Sequence, residues 1–582
     1  MDGNLDRRGF LQTAGLGTVA LALRDVRAAD TESKRRPNVV LVNTDDQGYG
    51  DLGCHGNPVV QTPNLDALHA ESVRLTNFHV CPTCSPTRAS LMTGRYCNRT
   101  GVWHTVMGRS ILREDEVTMA DVFAAAGYRT GIFGKWHLGD NHPFRPQDRG
   151  FAETLVHRGG GVGQTPDHWG NDYFDDTYLR NGRPEKAVGY CTDVFFDAAI
   201  GFIEANKDRP FFCYLPTNAP HSPYNVADKY SKPYRDKGVK DPRASFYGMI
   251  ANIDENVGRL VRRLEALGLA ENTVLIFMTD NGTSAGGLSA GMRGRKGSQY
   301  DGGHRVPCFI RWPGGRIAGG RDVNRLTAHI DLLPTLIDLC RLKRPDGVTF
   351  DGTSLVPLLK GRSDTWPDRT LFVDSQRVEH PIKWRRCAVM TDRWRLIDGK
   401  ALYDMNADPS QKRDVAADHP DVVNEFRAAY DAWWADVSKR FDAYAEIVLG
   451  ADQENPSQLT CHDWHGPKAP SNRKAVLDGL AVNGFWAVRV ARAGKYAIAL
   501  RRWPRELDKL ISAAVPGGRR LAVTTARLKV ADLDLTQPVP ADAAAVTFEV
   551  RLEAGSTRLQ TWLTDEHGVS RGAYYVYVKR LS

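Results

Sequence analysis

What most narrows the fold of this chain is a repeating succession: a short apolar run, a polar cluster, then an amphipathic helical stretch. Val39-Val40-Leu41-Val42 is apolar at every position, as in a strand covered on both faces. Runs at 130–133, 211–215 and 273–278 repeat the pattern. Helical stretches are predicted near 118–126, 192–205 and 244–267, the first capped by Thr118 with Gly127 just past its end. Strands alternating with helices predict an α/β fold, with a large, mostly parallel central sheet sandwiched by helices. The composition, 42% hydrophobic and 25% charged, is that of a globular protein and excludes a disordered, collagen-like or polytopic membrane chain. A length of 582 residues predicts two or three structural units.

The texture changes twice. Residues 36–360 carry the α/β pattern. Residues 361–447 give mixed strands and a helix through Trp433-Trp434, a small α+β subdomain. Residues 448–472 are polar and proline-bearing and read as a linker. Beyond them, short strands at 486–490, 496–500, 546–552, 559–563 and 574–578 predict a separate β-sandwich over 473–582. Its aromatic residues Trp486, Trp503, Trp562, Tyr574, Tyr575 and Tyr577 are expected in a core or an interface before a sugar-stacking surface.

In an open α/β sheet, ligands bind beyond the carboxyl ends of the strands. Those ends read Asn43-Thr44-Asp45-Asp46, Gly134-Lys135-Trp136-His137, Pro216 through His221, and Thr279-Asp280-Asn281-Gly282. Asp45, Asp46, Asp280 and Asn281 offer only oxygen donors, which select Ca²⁺ or Mg²⁺ over zinc. Lys135 and Lys296 add positive charge for an anion, and His137 and His221 can move protons near neutral pH.

The most specific text is 82–95. It holds Cys84-Ser85-Pro86-Thr87-Arg88 and, after four intervening residues, Thr93-Gly94. With Asn43–Cys54, Gly134–Gly139 and Asp301–Pro307 in order along the chain, it resembles the formylglycine-dependent sulfatases, or arylsulfatases, over about residues 36–445. The resemblance implies an alkaline-phosphatase-like fold and a sulfuric ester hydrolase acting on a sulfated small molecule or carbohydrate. It implies that a formylglycine-generating enzyme oxidises Cys84 to 3-oxoalanine (formylglycine). One hydroxyl of the aldehyde hydrate would attack sulfur and take the sulfate; His137 would deprotonate the other, which expels it. Arg88 would orient the hydrate, while Lys135 and Lys296 would neutralise sulfate charge. His221 would bind sulfate and protonate the leaving oxygen. The implied metal is Ca²⁺ on Asp45, Asp46, Asp280, Asn281 and residue 84. Thr87 stands where serine is commoner, and Asp301 and His304 depart from the pattern of relatives, so substrate contacts do not carry over to that loop.

The N-terminus reads as an address. Asp6-Arg7-Arg8-Gly9-Phe10-Leu11 has the twin-arginine pattern, and the apolar stretch 10–23 has 14 residues, too short to span about 30 Å of hydrocarbon. Cleavage is expected after Ala28, giving a periplasmic or secreted protein with no stable membrane span. The net charge of +8 is unclustered and predicts no nucleic-acid partner. Three rival readings use the same residues. Cys81 and Cys84 form a C-x-x-C pair that could be a redox dithiol. The fold also suits a phosphonate monoester or phosphodiester hydrolase, and the chain could be a carbohydrate-binding protein carrying a degenerate hydrolase.

Overall fold

The computed structural model describes residues 36–582, so the leader read in residues 1–28 lies outside the described residues. Ten strands make the main sheet. In chain order they are β1 (Asn38–Thr44), β2 (Val73–Leu75), β3 (Arg129–Lys135), β4 (Glu153–His157) and β5 (Thr177–Arg180). The others are β6 (Arg183–Lys186), β7 (Phe211–Pro216), β8 (Thr273–Thr279), β9 (Cys308–Arg311) and β10 (Arg321–Val323). Their spatial order is β10-β2-β9-β8-β1-β7-β3-β4-β5-β6. The centre, from β8 to β4, is parallel, and antiparallel pairs extend it on both sides.

Every residue of β1 is buried. Val39 and Leu41 enter one apolar cluster and Val40 and Val42 another, because alternate side chains of a strand face opposite, covered sides. The first cluster takes residues from helices α1 (Cys84–Thr93), α2 (Met119–Ala125) and α5 (Leu332–Cys340). The second takes them from α3 (Cys191–Ala205) and α4 (Arg243–Ala266). Helix α2 starts where its cap predicted: Thr118 Oγ1 accepts from Asp121 N at 3.1 Å. An antiparallel sheet, β11 (Leu371–Asp374) to β14 (Ala401–Asp404) through β12 (Cys387–Met390) and β13 (Trp394–Ile397), packs on α6 (Pro420–Val437).

The C-terminal strands form two facing sheets over one apolar cluster. One sheet has the order β15 (Ile447–Leu449), β17 (Phe485–Val490), β22 (Gly555–Asp565), β19 (Val523–Val530) and β20 (Leu533–Pro538). The other runs β16 (Ser457–Thr460), β23 (Tyr575–Arg580), β18 (Gly494–Arg501) and β21 (Val546–Leu552). The expected linker, 448–472, is corrected here: it supplies β15 and β16, one to each sheet, followed by the buried residues Cys461–His465. Its polar residues misled because Ser457, Thr460, His462, Asp463 and His465 face inward; Ser457 Oγ, for example, donates to Glu454 O at 3.2 Å. Trp486, Trp503, Tyr574, Tyr575 and Tyr577 are buried in the core, and Trp562 carries the Arg527 guanidinium 4.6 Å above its ring. Ile111 and Phe144 of the α/β part join this same core. Among the described residues no helix is long and apolar enough to cross a membrane.

Candidate active site

The parallel strands deliver their polar ends to one edge. Asp45 and Asp46 follow β1, Lys135 ends β3, His137 lies two residues on, His221 follows β7, and Asp280 and Asn281 follow β8. Cys84 is the first residue of α1, and Arg88 sits one turn later on the same helix. Gly134 makes the convergence of β3 and β7 possible. Its φ is +134°, and a Cβ there would lie 1.9 Å from the Pro216 carbonyl oxygen.

Ligand atoms of Asp45, Asp46, Cys84 and Asp280 all lie within 4.8 Å of one another, and all four residues are buried. Cys84 Sγ donates to Asp45 Oδ1 at 3.2 Å. Lys135 Nζ contacts Asp45 Oδ2. Arg88 donates to Asp280 Oδ2 at 2.8 Å and to the Lys135 carbonyl at 2.9 Å. Lys296 Nζ meets Asp46 Oδ1 at 2.5 Å, and Asn281 Nδ2 donates to the same oxygen at 2.9 Å. Lys296 comes from a loop with no sheet register. Backbone bonds fix it instead, Lys296 N to Thr283 O at 3.3 Å and Gly297 N to Pro82 O at 2.7 Å.

These contacts set the protonation states. Burial, then the charge of Asp45, pushes the Cys84 thiol up, so it stays protonated. Burial and repulsion from Asp45 raise Asp280 to about 6. Burial would also raise Asp46, but Lys296 and His221 beside it hold its carboxyl well below the usual range. Burial and Lys296 depress His221 to about 3. Its Nδ1 donates to Ser222 O at 2.6 Å, and Nε2 stands 3.9 Å from Asp46 Oδ2.

His137 is held by the Thr105 carbonyl, 2.9 Å from Nε2. A carbonyl only accepts, so Nε2 carries the proton and Nδ1 keeps a lone pair. That Nδ1 is buried without a partner. Burial, then Lys135 and His462, push the imidazole well below its ordinary pKa, keeping it neutral. Gly160 leaves room for the ring, since a Cβ there would lie 2.2 Å from His137 Cε1. The run Gly159-Gly160-Gly161 was the one signal in the sequence for this close approach. Thr105 and His462 had none. The His462 ring centroid lies 6.0 Å from that of His137, and its Nδ1 meets Asp463 Oδ1 at 3.0 Å.

The two pattern departures point inward. Asp301 and His304 are fully buried, where Asp301 accepts from Arg395 at 3.0 Å and His304 Nδ1 meets His79 Nδ1 at 2.9 Å. The C-x-x-C pair does not act as one unit. Cys81 Sγ lies 3.5 Å from His329 Nε2 while Cys84 Sγ turns to Asp45, and all ten cysteines are free.

Residues 37–342, more than half of the chain, match the sulfatase family. The chain belongs to that family. It is a sulfuric ester hydrolase on a mostly parallel, alkaline-phosphatase-like sheet. Residues 295–429 match the C-terminal region described for N-sulphoglucosamine sulphohydrolase. Human arylsulfatase A is 36% identical over 422 residues, 66% of this sulfatase and 79% of the relative. The ulvan-active sulfatase of Formosa agariphila is 34% identical over 363 residues, 58% of this chain and 68% of its own. Among solved structures, Ps i-CgsB in complex with k-i-k-neocarrahexaose superposes with a TM-score of 0.65 at 27% identity, covering 71% of this sulfatase and 95% of that chain.

Proposed function

We propose that this sulfatase removes sulfate from a carbohydrate with a formylglycine made from Cys84 and a Ca²⁺ held by Asp45, Asp46, Asp280, Asn281 and residue 84. The observation that carries the metal is the donor set. Three buried carboxylates crowd within 4.8 Å of Cys84, and Asn281 Oδ1 is buried with no partner. All are hard oxygens, as Ca²⁺ prefers. The protein's own cations Arg88, Lys135 and Lys296 only balance the three carboxylates, so a divalent ion would leave the centre positive for a sulfate monoester anion.

The formylglycine hydrate would supply a hydroxyl nucleophile with a second ionisable hydroxyl on the same carbon, and Ca²⁺ a Lewis acid beside it. The protein's side chains do the rest. Arg88, anchored to Asp280, orients residue 84. Lys135 and Lys296 sit on the metal-binding carboxylates, where they can also pair with sulfate oxygens as charge develops. His137 Nδ1 accepts a proton. His221 is neutral in the resting site, and an incoming sulfate anion raises its pKa toward the protonated form that can serve the leaving oxygen. A Cys84 thiol that stays protonated is a poor thiolate nucleophile, which favours this chemistry over the dithiol reading.

A relative named as an ulvan-active sulfatase and a solved structure in complex with k-i-k-neocarrahexaose favour a sulfated carbohydrate as substrate. The twin-arginine leader favours export to the periplasm or beyond, after folding and after the maturation enzyme has acted. The domain division in this reading is 36–360, 361–446 and an accessory sandwich from 447.

Mass spectrometry of the residue-84 peptide, on protein from its own host, tests the core of this reading. An aldehyde is expected, and an unmodified thiol in active protein would overturn it. Rates on a sulfate ester and a phosphodiester of one alcohol then test the phosphodiesterase alternative, with faster turnover of the sulfate ester expected.

A further inference from the structure

His137 takes a strained backbone, with φ of +61°. Such residues persist only where the surroundings over-determine them. Its ring is set by the Thr105 carbonyl, and Thr105 lies in a loop, 103–109, gripped from outside the catalytic sheet. Met107 N donates to the His462 carbonyl at 2.8 Å. Arg109 is 1% exposed, with its guanidinium 4.5 Å from both the Trp103 and the Tyr444 ring centroids. It lies 3.3 Å from the Glu379 carboxylate and donates to the carbonyls of Glu379 at 3.2 Å and Ala443 at 3.1 Å. His465 Nδ1 meets the same Glu379 carboxylate at 3.0 Å. The other edge of that ring presses on Gly108, where a Cβ would lie 2.3 Å from His465 Nε2. Ala443, Tyr444, His462 and His465 all lie beyond residue 429, past the stretch matched to either family model.

We propose that the two C-terminal units together are a positioning part of the active centre: His462 and His465 of the sandwich and Glu379 of the α+β subdomain clamp loop 103–109, and so hold the Thr105 carbonyl on His137 Nε2. The clamp fixes which imidazole nitrogen is free to take a proton. His465 and Glu379 are positioning residues, since they act through the loop. This rests on the proposed function, in which His137 serves the release of sulfate from residue 84 rather than its capture.

That assignment gives the clamp a signature distinct from general destabilisation. Slower release lowers kcat and KM together and leaves kcat/KM unchanged, because kcat/KM reports the earlier, sulfate-capturing step. It also leaves the protein heavier by one SO₃ after an acid quench from saturating substrate. The experiment compares full-length wild type, His137→Ala, His465→Ala and Glu379→Gln by steady-state kinetics and intact mass. Glu379→Gln keeps the shape of the clamp should His465→Ala fold poorly. We expect His465→Ala to lower kcat about 10- to 100-fold, the cost of an ångström-scale misplacement, with KM falling in parallel. We also expect SO₃ retained on both His137→Ala and His465→Ala, and faster amide exchange in 104–108. Wild-type kinetics in His465→Ala and Glu379→Gln would overturn the clamp. So would a loss of kcat at constant KM without retained SO₃, if His137→Ala does retain it. Absence of retained SO₃ on His137→Ala itself, with an unmodified thiol at residue 84, would mean that the underlying reading has failed and the clamp with it.

Discussion

Lys135→Ala separates two contributions of one ammonium group. Lys135 is fully buried and contacts Asp45 Oδ2. The other cation near that oxygen is Arg88, at 3.9 Å. Removing Lys135 leaves three crowded carboxylates against two cations, with Asp45 nearly unpaired. Breaking a buried pair in this way costs about 3–5 kcal/mol. Ca²⁺ at this site would stabilise both proteins, so only tighter binding to the more negative variant site narrows the gap, by about 1.4 kcal/mol for each tenfold in Kd. Urea unfolding of wild type and variant, in chelator and in excess Ca²⁺, should therefore show a destabilisation of about 3–5 kcal/mol in chelator that narrows by about 1–3 kcal/mol with Ca²⁺, for ten- to hundredfold tighter binding by the variant. Catalysis should not recover. One preorganised charge facing the transition state is worth about 10²–10³ in kcat, and a metal would be held by Asp45, Asp46, Asp280 and Asn281 without replacing the Lys135 ammonium as a donor to sulfate. Equal destabilisation in both media, or restoration of kcat by Ca²⁺, would refute the reasoning.

Buried histidines and acids make opposing contributions to acid stability. Burial holds His304 near 4 and His104 and His157 near 3; unfolded, they titrate near 6.5, so their contribution is lost as pH falls from 6.5 to 4. Burial raises Asp51 and Asp167 to about 7 and Asp374 to about 6, and their contribution, full below the unfolded value of 3.8, is lost as pH rises from 3.8 through 6. His55, His79, His137 and His221 are depressed in the same way and Asp140 and Asp280 are raised to about 6, so seven histidines oppose five acids, and at about 1.4 kcal/mol per pH unit each urea-unfolding stability should rise from pH 4.5 to 6. Asp167→Asn should steepen that rise by about 1.4 kcal/mol per unit, and a wild-type stability that falls over this range would contradict the count. Gly134→Ala, with its Cβ 1.9 Å from Pro216 O, should cost about 3 kcal/mol or more and depress kcat, because Lys135 and His137 lie just beyond it; an unchanged melting temperature would refute this.

The resting geometry also explains why one carboxylate-rich centre can hold so many like charges. Each carboxylate has its own cation, Asp45 with Lys135, Asp46 with Lys296 and Asp280 with Arg88. The centre is therefore a set of paired charges held open by backbone. None of the three pairs joins neighbours in sequence, so the pairing exists only when β1, β3, β8 and α1 have come together.

The sequence by itself determined the parallel sheet and the identity of the residues at its carboxyl edge. A strand buried on both faces must be apolar throughout, so Val39–Val42 and its counterparts announce themselves, and whatever follows them lies on one edge. Asp45, Asp46, Lys135, His137, His221, Asp280 and Asn281 were legible for that reason, and Cys84 and Arg88 through a compact local motif. Lys296 was legible as a residue type but not as a position, because its loop is placed by single backbone bonds to Thr283 and Pro82. The hairpin β19–β20 went unread because its outer faces alternate with charged residues that break the apolar count. Only the tertiary structure decided that 448–472 supplies sandwich strands instead of a linker, that Thr105 and His462 stand beside His137, and that His465 presses on Gly108. Those ties run through backbone carbonyls, which every residue type carries, and through a ring pressed on a glycine, and those to His462 and His465 cross more than 300 positions, so they leave no periodicity or spacing for a sequence to show.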